Sequence, residues 1–229
     1  GSADAWTTLL QRLADDGYAG RLGESTGGSF ELRLAFVYNP AVVQVIGTRH
    51  ILSGANFGGR RPFEMHARVT AGGASRSVRV ISLHAKAGTG ADDYADRLAG
   101  AEELKTYIDD QVARGEEVIL LGDYNDFLTR STRSGQLSPY RAFTTDDAYV
   151  KATLAIENNN IPTLCGNSAC STGSTRDHLV FTAGLSSVYV DGSGDRFNEV
   201  ITGVSNYVNS TSDHAPVLAR FSFTSTDTP

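Results

Sequence analysis

The sequence predicts an α/β protein, and three consecutive segments decide this class. Residues 78–84 lose their polar alternation as they approach His84, and residues 94–112 place apolar side chains at helical spacing before a glycine ends the pattern. Residues 118–121 then form an uninterrupted apolar run, which is typical of a strand buried on both faces. A strand, a helix and a buried strand in this order form a βαβ unit with parallel strands. His84 and Asp123 are therefore expected at the same edge of one sheet.

The first third of the chain predicts one helix and three strands. Residues 4–16 have apolar positions at helical spacing and indicate an amphipathic helix packed on a sheet. Residues 30–38 and 42–46 read as two strands joined by a short turn, and an antiparallel pair is the simplest interpretation. Residues 62–69 alternate apolar and polar side chains, so we expect a strand with one solvated face and a surface position for His66.

The second half of the chain predicts shorter elements. Residues 127–160 have poor periodicity and indicate loops with one or two short helices. Residues 177–182, 187–190 and 218–223 are expected to form strands. In the first of these, neighbouring side chains face opposite sides, so only one of Asp177 and His178 can face a cleft.

Length and composition favour a single domain over residues 1–229, because 229 residues with 40% apolar content can bury one sizeable core. The formal net charge of −6 argues against tight non-specific adhesion to nucleic acid but is compatible with a local basic groove. No apolar run is long enough to span a membrane, and the first residues lack the features of a signal peptide. We therefore expect a soluble protein without a membrane partner, and Gly1-Ser2 resembles the remnant of an expression tag.

The only two cysteines, Cys165 and Cys170, lie in a stretch rich in Gly, Asn, Ser and Thr. No histidine at a suitable spacing lies close on their N-terminal side, which disfavours a zinc site. We expect a small loop closed by a disulfide, which implies an oxidising compartment and a secreted or periplasmic protein. Two unpaired thiols are the alternative.

Two motifs carry chemistry. Gly122-Asp123-Tyr124-Asn125-Asp126 offers a carboxylate and an amide just past the buried strand, where hard oxygen ligands can hold a divalent cation and a phosphoryl group together. On this stretch alone, a plain Asx turn is the simpler interpretation. Ser212-Asp213-His214-Ala215-Pro216 sets a carboxylate beside an imidazole, which offers a metal ligand or orienting acid next to a base.

Together the two motifs resemble the endonuclease/exonuclease/phosphatase superfamily, which contains the deoxyribonuclease-I-like enzymes. The resemblance extends to Ser82-Leu83-His84-Ala85-Lys86 and Arg176-Asp177-His178-Leu179-Val180-Phe181, and the four motifs stand in the family's order along nearly the whole chain. It implies two β-sheets packed face to face with helices outside, and a metal-dependent hydrolase of phosphate esters that uses Mg²⁺ or Mn²⁺.

The resemblance also implies roles for individual residues. His214, held by Asp177, would activate water, and His84 would give a proton or hydrogen bond to a phosphoryl or leaving oxygen. The remaining roles are metal binding for Asp123 and Asp213, and positioning of the nucleophile and the scissile phosphate for Asp123 and Asn125.

Within the superfamily, abasic-site nucleases carry an asparagine where His84 stands, so His84 and the expected disulfide favour an enzyme outside DNA repair. A sphingomyelinase-like enzyme would expose an apolar hairpin, which the loops here do not contain. A nuclease needs cations along the phosphate backbone. Candidates in or beside loops are Lys86, Arg60, Arg61, Arg130, Arg133 and Arg141, with ordinary solvated side chains as the alternative. The sequence therefore predicts an extracellular nuclease acting on DNA, with a phosphatase or sphingomyelinase-like phosphoesterase as alternatives.

The resemblance also indicates missing elements. The family's glutamate metal ligand and a site asparagine lie on two strands that precede the helix matching residues 4–16, so the resemblance implies an N-terminally truncated domain. Cloning, proteolysis or a second chain that supplies the strands would each explain this, and the chain alone is expected to be nearly inactive. Glu31 is the nearest candidate for a partner of His84, one step out of register. A non-catalytic fragment or binding module on the same fold is the alternative of another class.

Overall fold

The computed structural model describes residues 3–25 and 32–223. Within these ranges the helices are α1 (Ala3–Ala14), α2 (Ala91–Ala113), α3 (Arg141–Thr144), α4 (Leu154–Asn158), α5 (Asn198–Gly203) and α6 (Tyr207–Ser210), with 3₁₀ turns at Ala55–Phe57 and Ala183–Leu185. The strands are β1 (Ala19–Leu22), β2 (Ala35–Tyr38), β3 (Val43–His50), β4 (Phe63–Ala71), β5 (Ala74–His84), β6 (Val118–Asp123), β7 (Tyr149–Lys151), β8 (Leu164–Cys165), β9 (Gly173–Ser174), β10 (Asp177–Thr182), β11 (Asp195–Arg196) and β12 (Val217–Leu218).

A six-stranded sheet with the order β3-β4-β5-β6-β10-β7 forms the centre of the molecule. Strands β5 and β6 are parallel, and all other neighbours in this sheet are antiparallel. Helix α2 connects the two parallel strands, so the predicted βαβ unit is confirmed. No helix in the described ranges is both long enough and apolar enough to cross a membrane.

The two faces of the central sheet pack against different layers. One face buries Ile81, Leu83 and Leu120 against Leu104 and Ile108 of α2. The opposite face carries alternate residues of the same strands and packs against the second layer. Aromatic contacts on this face include Phe181 with Phe221, at 5.2 Å between ring centroids, and Phe36 of β2 stacked on Phe63, at 5.3 Å.

The second layer consists of short paired strands, β1 with β2 and β11 with β12. Both pairs lie on the same face of the central sheet, because Phe63 and Phe181 belong to that face. The predicted α/β class is confirmed, with a central multi-stranded sheet flanked by helices, and the expected second sheet is present as two separate strand pairs. Between the two pairs, Val80, Ile119 and Leu121 of the central sheet are only partly buried.

The expected hairpin between residues 30–38 and 42–46 is wrong. Strand β2 pairs with β1, whereas β3 pairs with β4, so the chain crosses from one layer to the other at Asn39. A turn signal indicates a change of direction but not which sheet receives the next strand. The predicted start of this strand at Phe30 and the candidate Glu31 lie outside the described residues.

Three further expectations need correction. Residues 187–190 form a turn with one bridge, Tyr189 to Phe221, and the strand expected over 218–223 shortens to β12 and that bridge. The predicted face of α2 ends early: Val112 is 39% exposed, since side chains four residues apart drift by about 40° per step around a helix. Strand β7 appears inside the predicted loop region and pairs with the edge of β10.

The solvated face expected for β4 has one exception. Glu64 is buried, and it accepts hydrogen bonds from Arg49 (3.0 Å), Arg79 (3.0 Å) and the Tyr107 hydroxyl (2.5 Å). His66 is partly exposed on the same face, as predicted, and its Nε2 lies 2.8 Å from the Ser77 hydroxyl. A carboxyl group can be buried here because three donors bond to its oxygens.

Candidate active site

Three predicted site residues lie side by side at one edge of the central sheet. The register pairs His84 of β5 with Asp123 of β6, and Asp123 with Asp177 of β10. Directly opposed residues in neighbouring strands point to the same face of a sheet. The three side chains therefore form one polar row, which we call the strand-end row, on the face that packs against the second layer.

Close approach of β5 and β6 at this edge requires a glycine. Gly122 has φ +134°, and a Cβ atom placed on it would lie 2.0 Å from the carbonyl oxygen of Leu83. Any side chain would thus separate the two strands just where they carry His84 and Asp123. Gly122, which follows the apolar run, therefore allows the close approach of the two strands that brings His84 and Asp123 together.

The turn after β6 holds Asn125 against Asp123. Asn125 has φ +52°, and its backbone N–H donates to Asp123 Oδ1 at 2.8 Å. Its side-chain amide donates to Asp123 Oδ2 and to the carbonyl of Ala85, both at 3.0 Å. The motif therefore forms an Asx turn, and this turn also places a carboxylate and an amide at the end of β6.

His214 reaches the strand-end row from the second layer. Its Nδ1 donates to Asp177 Oδ2 at 2.8 Å, so the expected hydrogen bond is confirmed. The segment is held by a bridge between Leu164 and His214, by the Ala215 N–H donating to Thr163 O (2.6 Å), and by the Tyr207 hydroxyl donating to His214 O (2.8 Å).

The charges in this group act strongly on one another. The hydrogen bond to Asp177, supported by the charge of Asp123, raises the pKa of His214 to about 9. Burial, and then the negative charge of Asp177, raises the pKa of Asp123 to about 6. Burial, followed by the positive charges of Arg60 and His214, lowers the pKa of His84 to about 4. At neutral pH the protein thus pairs a charged His214 with Asp177 beside a neutral His84.

Asp123, Asp177 and His214 can offer one ligand atom each, and these atoms lie within 4.8 Å of one another. Two carboxylates and an imidazole suit Mn²⁺, and the carboxylates suit Mg²⁺. The raised pKa of Asp123 reflects burial first and then the negative charge of Asp177, and a cation would offset both. The donor set therefore fits a divalent cation. Asp213, one of the two predicted metal residues, is exposed and outside this group.

The cations predicted to contact substrate differ in whether their side chains are already bonded to other groups of the protein. Lys86 forms an ion pair with Asp93, and Arg61 donates to the carbonyls of Leu52 (3.0 Å) and His50 (3.4 Å). Arg133 is partly exposed and has no side-chain hydrogen bond within the described ranges.

Arg60 lies closer to the strand-end row than Arg61 does. It donates to the carbonyls of His84 (3.2 Å) and Ala85 (2.7 Å), and its charge acts on Asp123. The sequence could not separate these two neighbouring arginines.

Sequence reasoning missed a fully buried ion pair under the site. Arg97 of α2 donates to Asp126 at 3.0 Å and to the carbonyls of Lys86 (2.9 Å) and Gly88 (2.7 Å). The pair therefore ties together the loops that follow β5 and β6. The sequence could have indicated this ion pair, because Arg97 is a charged residue within the apolar face predicted for α2.

His178 faces away from the site, as strand alternation predicts. It is fully buried, its Nε2 donates to the carbonyl of Asp126 at 3.1 Å, and the Thr153 hydroxyl lies 3.5 Å from its Nδ1. Burial lowers its pKa, so the ring is neutral.

The expected disulfide between Cys165 and Cys170 is present, with 4.5 Å between the Cα atoms. It lies beside the segment that carries His214, because the Cys165 N–H donates to the carbonyl of Asp213 at 2.8 Å. The disulfide loop thus helps to hold that segment.

No protein-family model matches the sequence, and no curated protein matches it. The human Nocturnin catalytic domain is similar in structure, with a TM-score of 0.61, 17% identity and coverage of 97% of this chain and 77% of that one. The 3′ phosphatase NExo from Neisseria, bound to a product DNA hairpin, has a TM-score of 0.66, 16% identity and coverage of 93% and 83%. A mannosyl-6-phosphatase from Bacteroides thetaiotaomicron has a TM-score of 0.59, 14% identity and coverage of 95% and 82%.

These structures are similar to the chain over nearly its whole length, while the low identities limit the inference to the fold. The resemblance indicated by the four sequence motifs is thereby confirmed at that level. The chain has the fold of the endonuclease/exonuclease/phosphatase superfamily.

Proposed function

We propose that this protein is a metal-dependent phosphodiesterase that hydrolyses DNA in an oxidising compartment outside the cytoplasm. The observation that carries the proposal is the strand-end row, completed by the 2.8 Å hydrogen bond from His214 to Asp177. A base, a hydrogen-bond donor and a carboxylate cluster that fits a cation meet at one sheet edge. Phosphoryl transfer needs positioning and charge rather than covalent chemistry, and this group supplies both.

Asp123 and Asp177 are the residues that would hold Mg²⁺ or Mn²⁺ through their carboxylate oxygens, while the His214 ring stays free to accept a proton. When bound, the cation supplies positive charge that offsets the charge developing on the phosphoryl oxygens. The predicted role of Asp213 as a ligand remains a proposal that its exposed position does not favour.

His214 acts as the general base in this proposal. Asp177 keeps a proton on Nδ1 and thereby leaves Nε2 for the attacking water. With a pKa of about 9, His214 is protonated at neutral pH until positive charge near Asp123 and Asp177 offsets the carboxylates.

His84 and Asn125 position the phosphate. Since the pKa of His84 is about 4, the ring is neutral and donates a hydrogen bond to a phosphoryl or leaving oxygen instead of a proton. The amide N–H groups of Asn125 are used by Asp123 and Ala85, which leaves its Oδ1 to accept a hydrogen bond from the nucleophile.

Two observations support DNA as the substrate and an oxidising compartment. Arg60 bonds to the carbonyl of His84, and Arg133 follows the Asp123–Asp126 motif in sequence. Cations in such positions can contact a phosphate backbone. The disulfide persists only where thiols are oxidised. A phosphomonoesterase is the second candidate, because two proteins of similar fold are phosphatases by name.

The test uses the protein in its longest natural form with Mg²⁺ or Mn²⁺. We expect cleavage of plasmid and single-stranded DNA, loss of cleavage with chelator, and a decline as salt rises. Parallel assays use a phosphomonoester and a phospholipid. Rapid hydrolysis of either with DNA left uncut would refute the nuclease proposal while leaving phosphoesterase activity in place.

A further inference from the structure

Two arginines share one aromatic ring beside the strand-end row. The guanidinium carbon of Arg130 lies 3.8 Å from the ring centroid of Phe127, and that of Arg176 lies 4.4 Å from it. Phe127 is 9% exposed, Arg176 is partly buried, and Arg130 is exposed. We call these three residues the Arg-Phe-Arg stack.

The stack is adjacent to the site through the backbone. Phe127 follows Asn125 by two residues, and Arg176 directly precedes Asp177. The Tyr124 N–H donates to the carbonyl of Arg176 at 2.9 Å, which joins the two segments. The stack therefore borders the site where β6 ends and β10 begins.

The two guanidinium groups have no directly bonded anionic partner in the described part of the chain. Within the described ranges neither Arg130 nor Arg176 forms an ion pair or side-chain hydrogen bond, and Nη1 of Arg176 is buried without a partner. By contrast, Arg60, Arg61 and Arg97 all donate to carbonyls or carboxylates.

Placing two cations close together on one ring is unfavourable unless an anion is nearby, and cation–π attraction offsets only part of the repulsion. The charges of Asp126 and Asp123 act on Arg176 from a distance, but neither carboxylate forms an ion pair with it. A bound phosphate would offset the charges of both arginines.

We propose that the Arg-Phe-Arg stack is a subsite for the nucleotide next to the scissile phosphate. The guanidinium groups bind the neighbouring backbone phosphate, and the exposed plane of Arg130 supports a base by stacking. This inference rests on the proposed function and deepens it, since it requires a polynucleotide rather than an isolated phosphomonoester. It also assigns substrate contact to residues other than Lys86 and Arg61.

Binding of a fluorescent single-stranded oligonucleotide tests the subsite without turnover. Anisotropy is measured with chelator present at several salt concentrations, for the wild type and for Arg130→Gln, Arg130→Lys and Arg176→Gln. The matched control is Arg114→Gln, an exposed arginine before β6 and therefore at the opposite edge of the sheet.

We expect Arg130→Gln to weaken binding about tenfold, and its salt slope to fall by about 0.7, the amount that one phosphate contact contributes in a single strand. Arg130→Lys should keep the slope and still bind more weakly, since an ammonium keeps the charge but not the flat surface. The oligonucleotide affinity of Arg114→Gln should stay within about twofold of the wild type. Arg114 lies away from the subsite and attracts the oligonucleotide only through non-specific charge.

Wild-type affinity within twofold in both glutamine variants would overturn the subsite, as would a wild type that binds no oligonucleotide. Hydrolysis of bis(p-nitrophenyl) phosphate by the longest natural form separates the two proposals. If Arg130→Gln raises KM for DNA by a larger factor than KM for this small diester, while Arg114→Gln changes neither, both proposals are supported. If the wild type hydrolyses no phosphodiester but the variants lose oligonucleotide binding, the subsite stands and the proposed function fails.

Discussion

The chain contains two Asp-His dipeptides. One of them places its aspartate in the candidate site, and the other places its histidine there. In Asp177-His178 the aspartate lies in the site, whereas the histidine is fully buried on the other face of the sheet. In Asp213-His214 the histidine lies in the site, whereas the aspartate is exposed. Identical dipeptides therefore supply one hydrogen-bonded pair, Asp177 with His214.

The difference comes from the local backbone. Residues 177–178 belong to a strand, in which neighbouring side chains must face opposite sides. Residues 213–214 precede β12 in an irregular segment held by hydrogen bonds to the Cys165 loop, Thr163 and Tyr207. A motif indicates which chemistry is available, while the backbone decides which residue performs it.

The largest expected effect concerns the pair formed across the two dipeptides. Asp177→Asn and His214→Asn should each lower hydrolysis of a phosphodiester by about two to four orders of magnitude, the usual contribution of general acid–base catalysis. Initial rates of the longest natural form measure this, with thermal unfolding as a check of folding. Rates within tenfold of wild type would show that this pair is not the base.

The buried member of the first dipeptide should act on stability. His178→Ala is expected to lower the free energy of unfolding by about 2–4 kcal/mol, because it opens a cavity and leaves the Asp126 carbonyl without its donor. Urea denaturation of residues 1–229 measures the change. An unchanged midpoint would mean that the buried ring is dispensable.

The titration of His214 sharpens the contrast between the two histidines. Its pKa of about 9 should fall towards the ordinary value of 6.5 in Asp177→Asn, because the hydrogen bond is the main cause of the rise. NMR titration of the ring protons follows it. A group with a raised pKa stabilises the fold below its unfolded value, so this stabilisation should be lost as pH rises from 6.5 through 9, and Asp177→Asn should flatten that dependence. A wild-type His214 that titrates near 6.5 would contradict the assigned charge state.

The smallest effect is expected at the exposed aspartate. Asp213→Asn should change stability by less than about 0.5 kcal/mol, as is usual for surface positions. Its Mn²⁺ affinity should stay close to that of the wild type, whereas Asp123→Asn should weaken binding at least about tenfold. Calorimetric titration compares the two variants. Equal losses would restore Asp213 as the metal ligand that the sequence predicted.

Sequence patterns determined the elements whose signals are local. The βαβ unit follows from apolar runs and helical spacing, which each segment carries by itself. The strand ends that hold His84, Asp123 and Asp177 follow from the same runs. The disulfide also follows locally, because only four residues lie between its two cysteines.

The tertiary structure decided what depends on contacts between distant segments. Three features are of this kind: the pairing of β2 with β1, the position of Asp177 rather than Asp213 in the group that could hold a cation, and the burial of Arg97 against Asp126. Asp177 and His214 are 37 residues apart, and Arg97 and Asp126 are 29 apart. No periodicity within a window encodes such partners, because their energies arise only when packing and strand register bring them together.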